Sequence, residues 1–211
     1  MWVVKLGGSL ACSSKLVKCL EVFHKFRKKI NFVIIPGGGV FADQIRFLQK
    51  KINFNDNLAH QLATLSTEQY GFFLLSKCKK LKLADDVDSV KAAFRRHEVP
   101  ILLSSRMLLN ARDIRRDWNF TSDSISAWFC RRIGAKNLIL LKSANIKKFS
   151  ETGENLRLST LQKNNIIDRY FGVYAKRARL SAYYLKLTDW EKLTLNDFKR
   201  KRLGLKINLN D

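Results

Sequence analysis

The chain has 211 residues, 46% of them apolar, and carries 40 Lys+Arg against 18 Asp+Glu for a formal charge of +22. That length supports a buried core without disulfide or metal staples, and with only 2 prolines the composition excludes a disordered chain. No run approaches the ~20 apolar residues of a membrane-spanning helix. Lys5 breaks the Met1-Trp2-Val3-Val4 start before it reaches signal-peptide length.

The first predicted element is a strand, Trp2 to Leu6, ending at Gly7-Gly8-Ser9. Ser13 or Ser14 then caps a helix whose Leu16, Leu20, Phe23 and Phe26 recur at helical spacing. Phe32 to Ile35 reads as a second buried strand, stopped by Pro36 and Gly37-Gly38-Gly39, and the next helix sets Phe41, Ile45 and Leu48 on one face. Asp56 caps a longer helix to about Ser76 with Leu58, Leu62 and Leu65 as its apolar stripe; Lys77, Lys79, Lys80 and Lys82 read as a solvated face. Val87 to Arg96 is helical and Pro100 to Leu103 a strand. Ser122 or Asp123 opens a helix to about Ile133, and Asn137 to Leu141 is a strand. From Ser143 to about Asn165 the sequence reads as a polar excursion. Tyr183 to Leu187 returns as a strand, Asp189 caps a short turn or helix, and Lys199 to Asp211 forms a surface segment or edge strand.

Strands alternating with helices imply an α/β fold, a three-layer α-β-α sandwich around a mainly parallel sheet. Such sheets bind ligands beyond the carboxyl ends of their strands. Both glycine turns fall there. Gly7 and Gly8 let backbone amides approach an anion, Lys5 adds a mobile positive charge, and Gly37, Gly38 and Gly39 repeat the device thirty residues later. Neither turn matches GxxxxGK[ST] or GxGxxG. Asp123, in Thr121-Ser122-Asp123-Ser124, reads locally as a helix cap, but beside two phosphate-cradling turns it could hold a lysine ammonium in place. The cysteines (12, 19, 78, 130) and histidines (24, 60, 97) show no ligand spacing, so no metal-binding residue is expected, and free thiols point to a cytoplasmic chain.

Three stretches resemble the amino acid kinase family over about residues 1–142. They are Lys5-Leu6-Gly7-Gly8-Ser9, Pro36-Gly37-Gly38-Gly39, and Ser122-Asp123-Ser124-Ile125-Ser126-Ala127 with Ala135 to Leu141. Ala59-His60-Gln61-Leu62-Ala63, Trp118 to Ser126 and Leu140-Leu141-Lys142-Ser143 are similar to a subgroup of short kinase-like proteins from methanogens and methylotrophs. Its methanogen member phosphorylates an aminomethyl-furanmethyl phosphate during methanofuran biosynthesis.

The resemblance implies a single kinase-like unit over 1–211, with an acceptor-binding half at about 1–115 and a shortened nucleotide-binding half at about 116–211. It implies an ATP-dependent kinase using Mg2+ and acting on a small, already phosphorylated acceptor. Lys5 and Asp123 would be catalytic, Gly7, Gly8, Ser9 and Lys142 would face ATP, and Gly37, Gly38, Gly39 and His60 would face the acceptor. Lys142 and Lys176 are both candidates for the family's second lysine, and the family's Asp-Gly pair is absent after Leu141, where Lys142-Ser143-Ala144 stands. Taken alone, His60 reads more readily as a structural helix residue and Trp118 as a packed core aromatic. The resemblance also allows a homo-oligomer, because family members often pair through the acceptor half. Alternatives are a uridylate, isopentenyl phosphate or carboxylate kinase, or a non-catalytic nucleotide- or nucleic-acid-binding protein on the same fold. The +22 charge suits nucleic acid. However, the cations are spread along the chain without a zinc-finger or RNP signature, which argues against dedicated nucleic-acid binding.

Overall fold

The computed structural model describes residues 1–144, 146 and 155–210. Among them, strands β1 (Trp2–Leu6), β2 (Phe32–Pro36), β3 (Leu81–Ala84), β4 (Val99–Leu102), β5 (Asn137–Lys142), β6 (Asn155–Arg157), β7 (Ser181–Lys186) and β8 (Leu205–Asn208) form one sheet. Their order is β3-β4-β2-β1-β5-β7-β8-β6. Only the β7–β8 pairing is antiparallel.

The sheet carries apolar clusters on both faces, as strand alternation requires. Val3, Leu138 and Leu140 point into one cluster, while Val4, Ile139 and Leu141 point into the other. The first cluster is covered by α4 (Val87–Arg95), α6 (Ser122–Ile133) and α8 (Phe171–Ala178). The second is covered by α1 (Leu16–Phe26), α3 (Asp56–Lys77), α9 (Leu187–Trp190) and α10 (Leu195–Arg200). This is the expected three-layer α/β arrangement with a mainly parallel sheet. The remaining helices are α2 (Gly39–Ile52), α5 (Ser105–Leu109) and α7 (Leu158–Lys163).

Several local expectations change. Within the lysine run, Leu81–Ala84 is an edge strand that buries Leu81 and Ala84 and leaves Lys82 exposed. A lysine on an edge strand discourages further pairing. The predicted polar excursion contains β6 and α7, held by buried Leu156, Leu158 and Leu161; residues 145, 147–154 and 211 lie outside the described set. Asn55, and not Asp56, caps α3, accepting from the Leu58 amide at 2.9 Å.

The α3 stripe is also inverted. Leu58 and Leu65 are 41% and 47% exposed, whereas Ala59, Thr64, Thr67, Tyr70 and Gly71 face inward. Gly71 lets the helix approach closely, since a Cβ there would lie 3.2 Å from Ile101 Cγ2. On α2 only Ala42 is buried, and Leu48 of the expected apolar face is exposed.

β1 and β2 are parallel neighbours with Leu6 opposite Pro36, so the turns that follow them lie side by side. A Cβ on Gly8 would stand 2.1 Å from the Gly39 nitrogen, and Gly39 itself sits at φ 53°. Backbone against backbone cannot yield as a side chain can. Gly8→Ala should therefore destabilise the fold by roughly 3 kcal/mol, lowering Tm by roughly 6–12 °C for a chain of this size. A thermal melt within 2 °C of wild type (about 1 kcal/mol or less) would show that the turns are not in contact.

Candidate active site

Lys5 shares the strand face of Val3, and β1 pairs with β5 so that Lys5 lies opposite Leu140. Two residues further along β5, Lys142 returns to that same face. The amino end of α6 packs over this face and supplies Asp123, which is 3% exposed. Strand parity and one helix start thus bring two ammonium groups to one carboxylate.

Lys142 Nζ donates to Asp123 Oδ2 at 2.5 Å and also to the Ile166 carbonyl. Lys5 Nζ lies 3.0 Å from Asp123 Oδ1, an ion pair lacking the angles of a directed hydrogen bond. Burial alone would raise the Asp123 carboxyl, but Lys142 and Lys5 more than offset it and hold it below the usual carboxylate range. A depressed carboxylate stabilises the fold above the ordinary Asp pKa of about 3.9, and that contribution is lost as pH falls through the folded value. Burial pulls the Lys142 ammonium downward, opposed by Asp123 and by Asp168.

These groups open on a cavity of about 370 Å³ at the carboxyl end of the sheet, within the range of small-molecule sites. Gly8 and the Gly37–Gly39 turn form one side. His60 of α3 lines it too, 8% exposed, with its Nε2 unpartnered among the described residues. Burial, aided by the Arg116 cation and opposed by Asp117, keeps this imidazole below its usual pKa and hence neutral at pH 7. Trp118 is half-buried in the cavity wall and not in the core: its Nε1 donates to Gln49 Oε1 at 2.6 Å, and the Arg46 guanidinium stacks 4.4 Å from its ring.

The structure thus gathers Lys5, Gly8, Gly37, Gly38, Gly39, His60, Asp123 and Lys142 around one cavity. Gly7 does not offer its amide there, because that N–H donates to the Leu141 carbonyl at 2.8 Å. Ser9 stands outside the cavity lining, its hydroxyl 2.9 Å from that of Ser143. Lys176 is on the surface of α8, which leaves Lys142 as the second lysine at the carboxylate. Asp123 does not cap α6. That task falls to Asp168, which sequence reading missed: it accepts from the Thr121 and Ser124 amides at 3.0 Å each. The only local signal for Asp168 is its position three residues before Phe171, whose amide it also accepts at 2.9 Å. Among the described residues no group of three or more His, Cys, Asp or Glu could hold a metal ion.

A model of the amino acid kinase family matches residues 1–145. The chain is 30% identical over 189 residues to the (5-(aminomethyl)furan-3-yl)methyl phosphate kinase of Methanocaldococcus jannaschii, covering 87% of this chain and 86% of that one. In fold it is similar to uridylate kinase from Archaeoglobus fulgidus, with TM-score 0.71 and 15% identity over 98% of this chain and 99% of that one. It is also similar to isopentenyl phosphate kinase from T. acidophilum, with TM-score 0.58 and 13% identity over 99% and 100% of the two chains. The chain belongs to the amino acid kinase family and is a phosphotransferase, a kinase that uses a nucleotide donor.

Proposed function

We propose that the chain transfers the γ-phosphoryl group of ATP to a small acceptor that already bears a phosphate, with (5-(aminomethyl)furan-3-yl)methyl phosphate as the first candidate. One observation carries this reading: two ammonium groups share one buried carboxylate at the meeting point of two glycine turns. The named relative supplies the candidate acceptor, and the product would feed the making of a methanofuran-type cofactor.

The residues fit a nucleotide's phosphates. Gly8, Gly38 and Gly39 line the cavity with no side chain to screen their backbone from an anion. Mg2+ would arrive on the ATP phosphates and supply further charge neutralisation, with no ligand required from the chain. Lys5 and Lys142 would neutralise charge on the migrating group from one side. Gly38 and Gly39 at the amino end of α2 would hold the acceptor phosphate, the Gly37 amide being already given to the Leu6 carbonyl at 2.8 Å, and the orphaned His60 Nε2 would bond the acceptor. Asp123 fixes both lysines without touching the substrate. The acceptor oxygen attacks directly, so catalysis here is positioning plus charge stabilisation. In this reading about 1–115 forms the acceptor half and about 116–211 the nucleotide half, in a cytoplasmic enzyme.

The only cation within α3 is its last residue, Lys77: no lysine or arginine occurs between Lys51 and Lys77. Leu58, Leu65 and Phe72, spaced seven apart, stand exposed in that cation-free stretch. Seven-residue spacing aligns them along one helix seam. This exposed apolar seam is where we assign a homodimer contact, with Arg116 near its amino end. Sedimentation should give about twice 24.4 kDa, and Leu65→Lys should shift the chain to monomer. A monomeric wild type at micromolar concentration removes the assignment.

Function is tested by acceptor-dependent ADP release, with UMP, isopentenyl phosphate and carbamate as rivals to the furan phosphate. Turnover with the furan phosphate and a diphosphate product by mass spectrometry is expected. Lys5→Ala and Lys142→Ala should each cut that turnover at least about tenfold with cooperative melting retained. Absence of acceptor-dependent ADP release, or near-normal turnover in both variants, contradicts the reading.

A further inference from the structure

Asp168 belongs to no expectation raised by the sequence, yet its carboxylate is among the most heavily bonded groups near the cavity. Oδ2 accepts from Thr121 N at 3.0 Å, Thr121 Oγ1 at 2.8 Å and Ser124 N at 3.0 Å. Oδ1 accepts from Ser124 Oγ and from Phe171 N at 2.9 Å. Five donors fill the acceptor capacity of an ionised carboxylate, which offers about four lone-pair sites. Thr121, the residue preceding α6, makes no side-chain cap of its own. The amino end of α6, and with it Asp123, is therefore held by a segment more than forty residues away in sequence.

That segment holds the other half of the site as well. The Ile166 carbonyl, two residues before Asp168, accepts from Lys142 Nζ. Gln162 Nε2 fastens the segment from beneath, donating to the carbonyls of Asp168 at 2.9 Å and Arg169 at 2.8 Å. One short loop thus grips both the helix that carries Asp123 and the lysine that pairs with it.

Resting on the phosphotransfer reading above, we propose that Asp168 is a positioning residue for catalysis: it locks the loop that sets the Lys5–Asp123–Lys142 geometry. The charges agree: Asp168 acts on Lys142 alongside Asp123, within a cavity whose lining also carries Lys5, Arg46 and Arg169 and so stays net positive. Burial and the neighbouring Asp123 charge push Asp168 up to about 6, while the Ser124 and Thr121 donors oppose them. At neutral pH it remains ionised and its five acceptor bonds persist. An ordinary helix cap would stabilise α6 without any effect specific to Lys142, and the two roles can be separated.

The test is a double-mutant cycle joined to a titration. In the wild-type background D168N should lower kcat at least about tenfold and leave KM for ATP within about threefold. In the K142M background it should lower the residual kcat by less than about twofold, since the partner it positions is gone. An equal loss in both backgrounds marks a purely structural cap and overturns the proposal. If D168N lacks a cooperative melt, Ser124→Ala takes its place, removing one donor and keeping the charge. It should slow the wild type moderately and K142M not at all, and equal losses overturn the proposal in the same way. Independently of any acceptor, 15N NMR of the lysine ammonium groups should show Lys142 titrating at lower pH in D168N, and an unchanged titration overturns the proposal. Absence of ADP release from wild type with every acceptor tried would sink the proposed phosphoryl transfer at this site and leave that titration to decide this one.

Discussion

The site depends on one buried carboxylate held between two ammonium groups. Asp123 is nearly inaccessible to water, and an isolated charge there would cost several kcal/mol. Lys5 and Lys142 make it tolerable, and in return it fixes the position of two flexible side chains. The long four-carbon stems of lysine normally range over many rotamers. Tied to one carboxylate, they present positive charge at a fixed point beside the glycine turns. Positive charge placed in advance needs no reorganisation when a phosphoryl group moves.

The sheet makes this possible with little additional apparatus. Parallel β1, β2 and β5 end at one edge, and alternation along β1 and β5 sends Lys5 and Lys142 to the same face. Glycine at positions 8 and 39 allows the two turns to touch through backbone alone. Any side chain at either position would separate them and widen the gap the ammonium groups must cover.

Much of this was legible in the sequence because it is local. A lysine on a strand before two glycines, and a second glycine turn after the next strand, require only nearest-neighbour reading. Asp123 was legible as polar residue at a helix start, although its local signal suggested a cap and tertiary packing gave that work to Asp168. Lys142 could be named as a candidate but not chosen over Lys176, since the choice depends on the register of β1 with β5. Asp168 acts across a long sequence separation through hydrogen bonds to α6, and no spacing rule announces such a contact. The α3 stripe was misread for a different reason. Its buried face is built from Ala, Thr, Tyr and Gly that let the helix lie close to the sheet, so the larger leucines point outward.

The most direct measurement of the central claim is a crystal structure with a non-hydrolysable ATP analogue and the furan phosphate acceptor. The terminal phosphoryl group should lie within hydrogen-bonding distance of Lys5 Nζ, in the cavity beside the touching Gly8 and Gly39 turns, with Asp123 still bridging Lys5 and Lys142. A terminal phosphoryl group bound away from Lys5, or an Asp123 carboxylate released from both lysines in that complex, would contradict it.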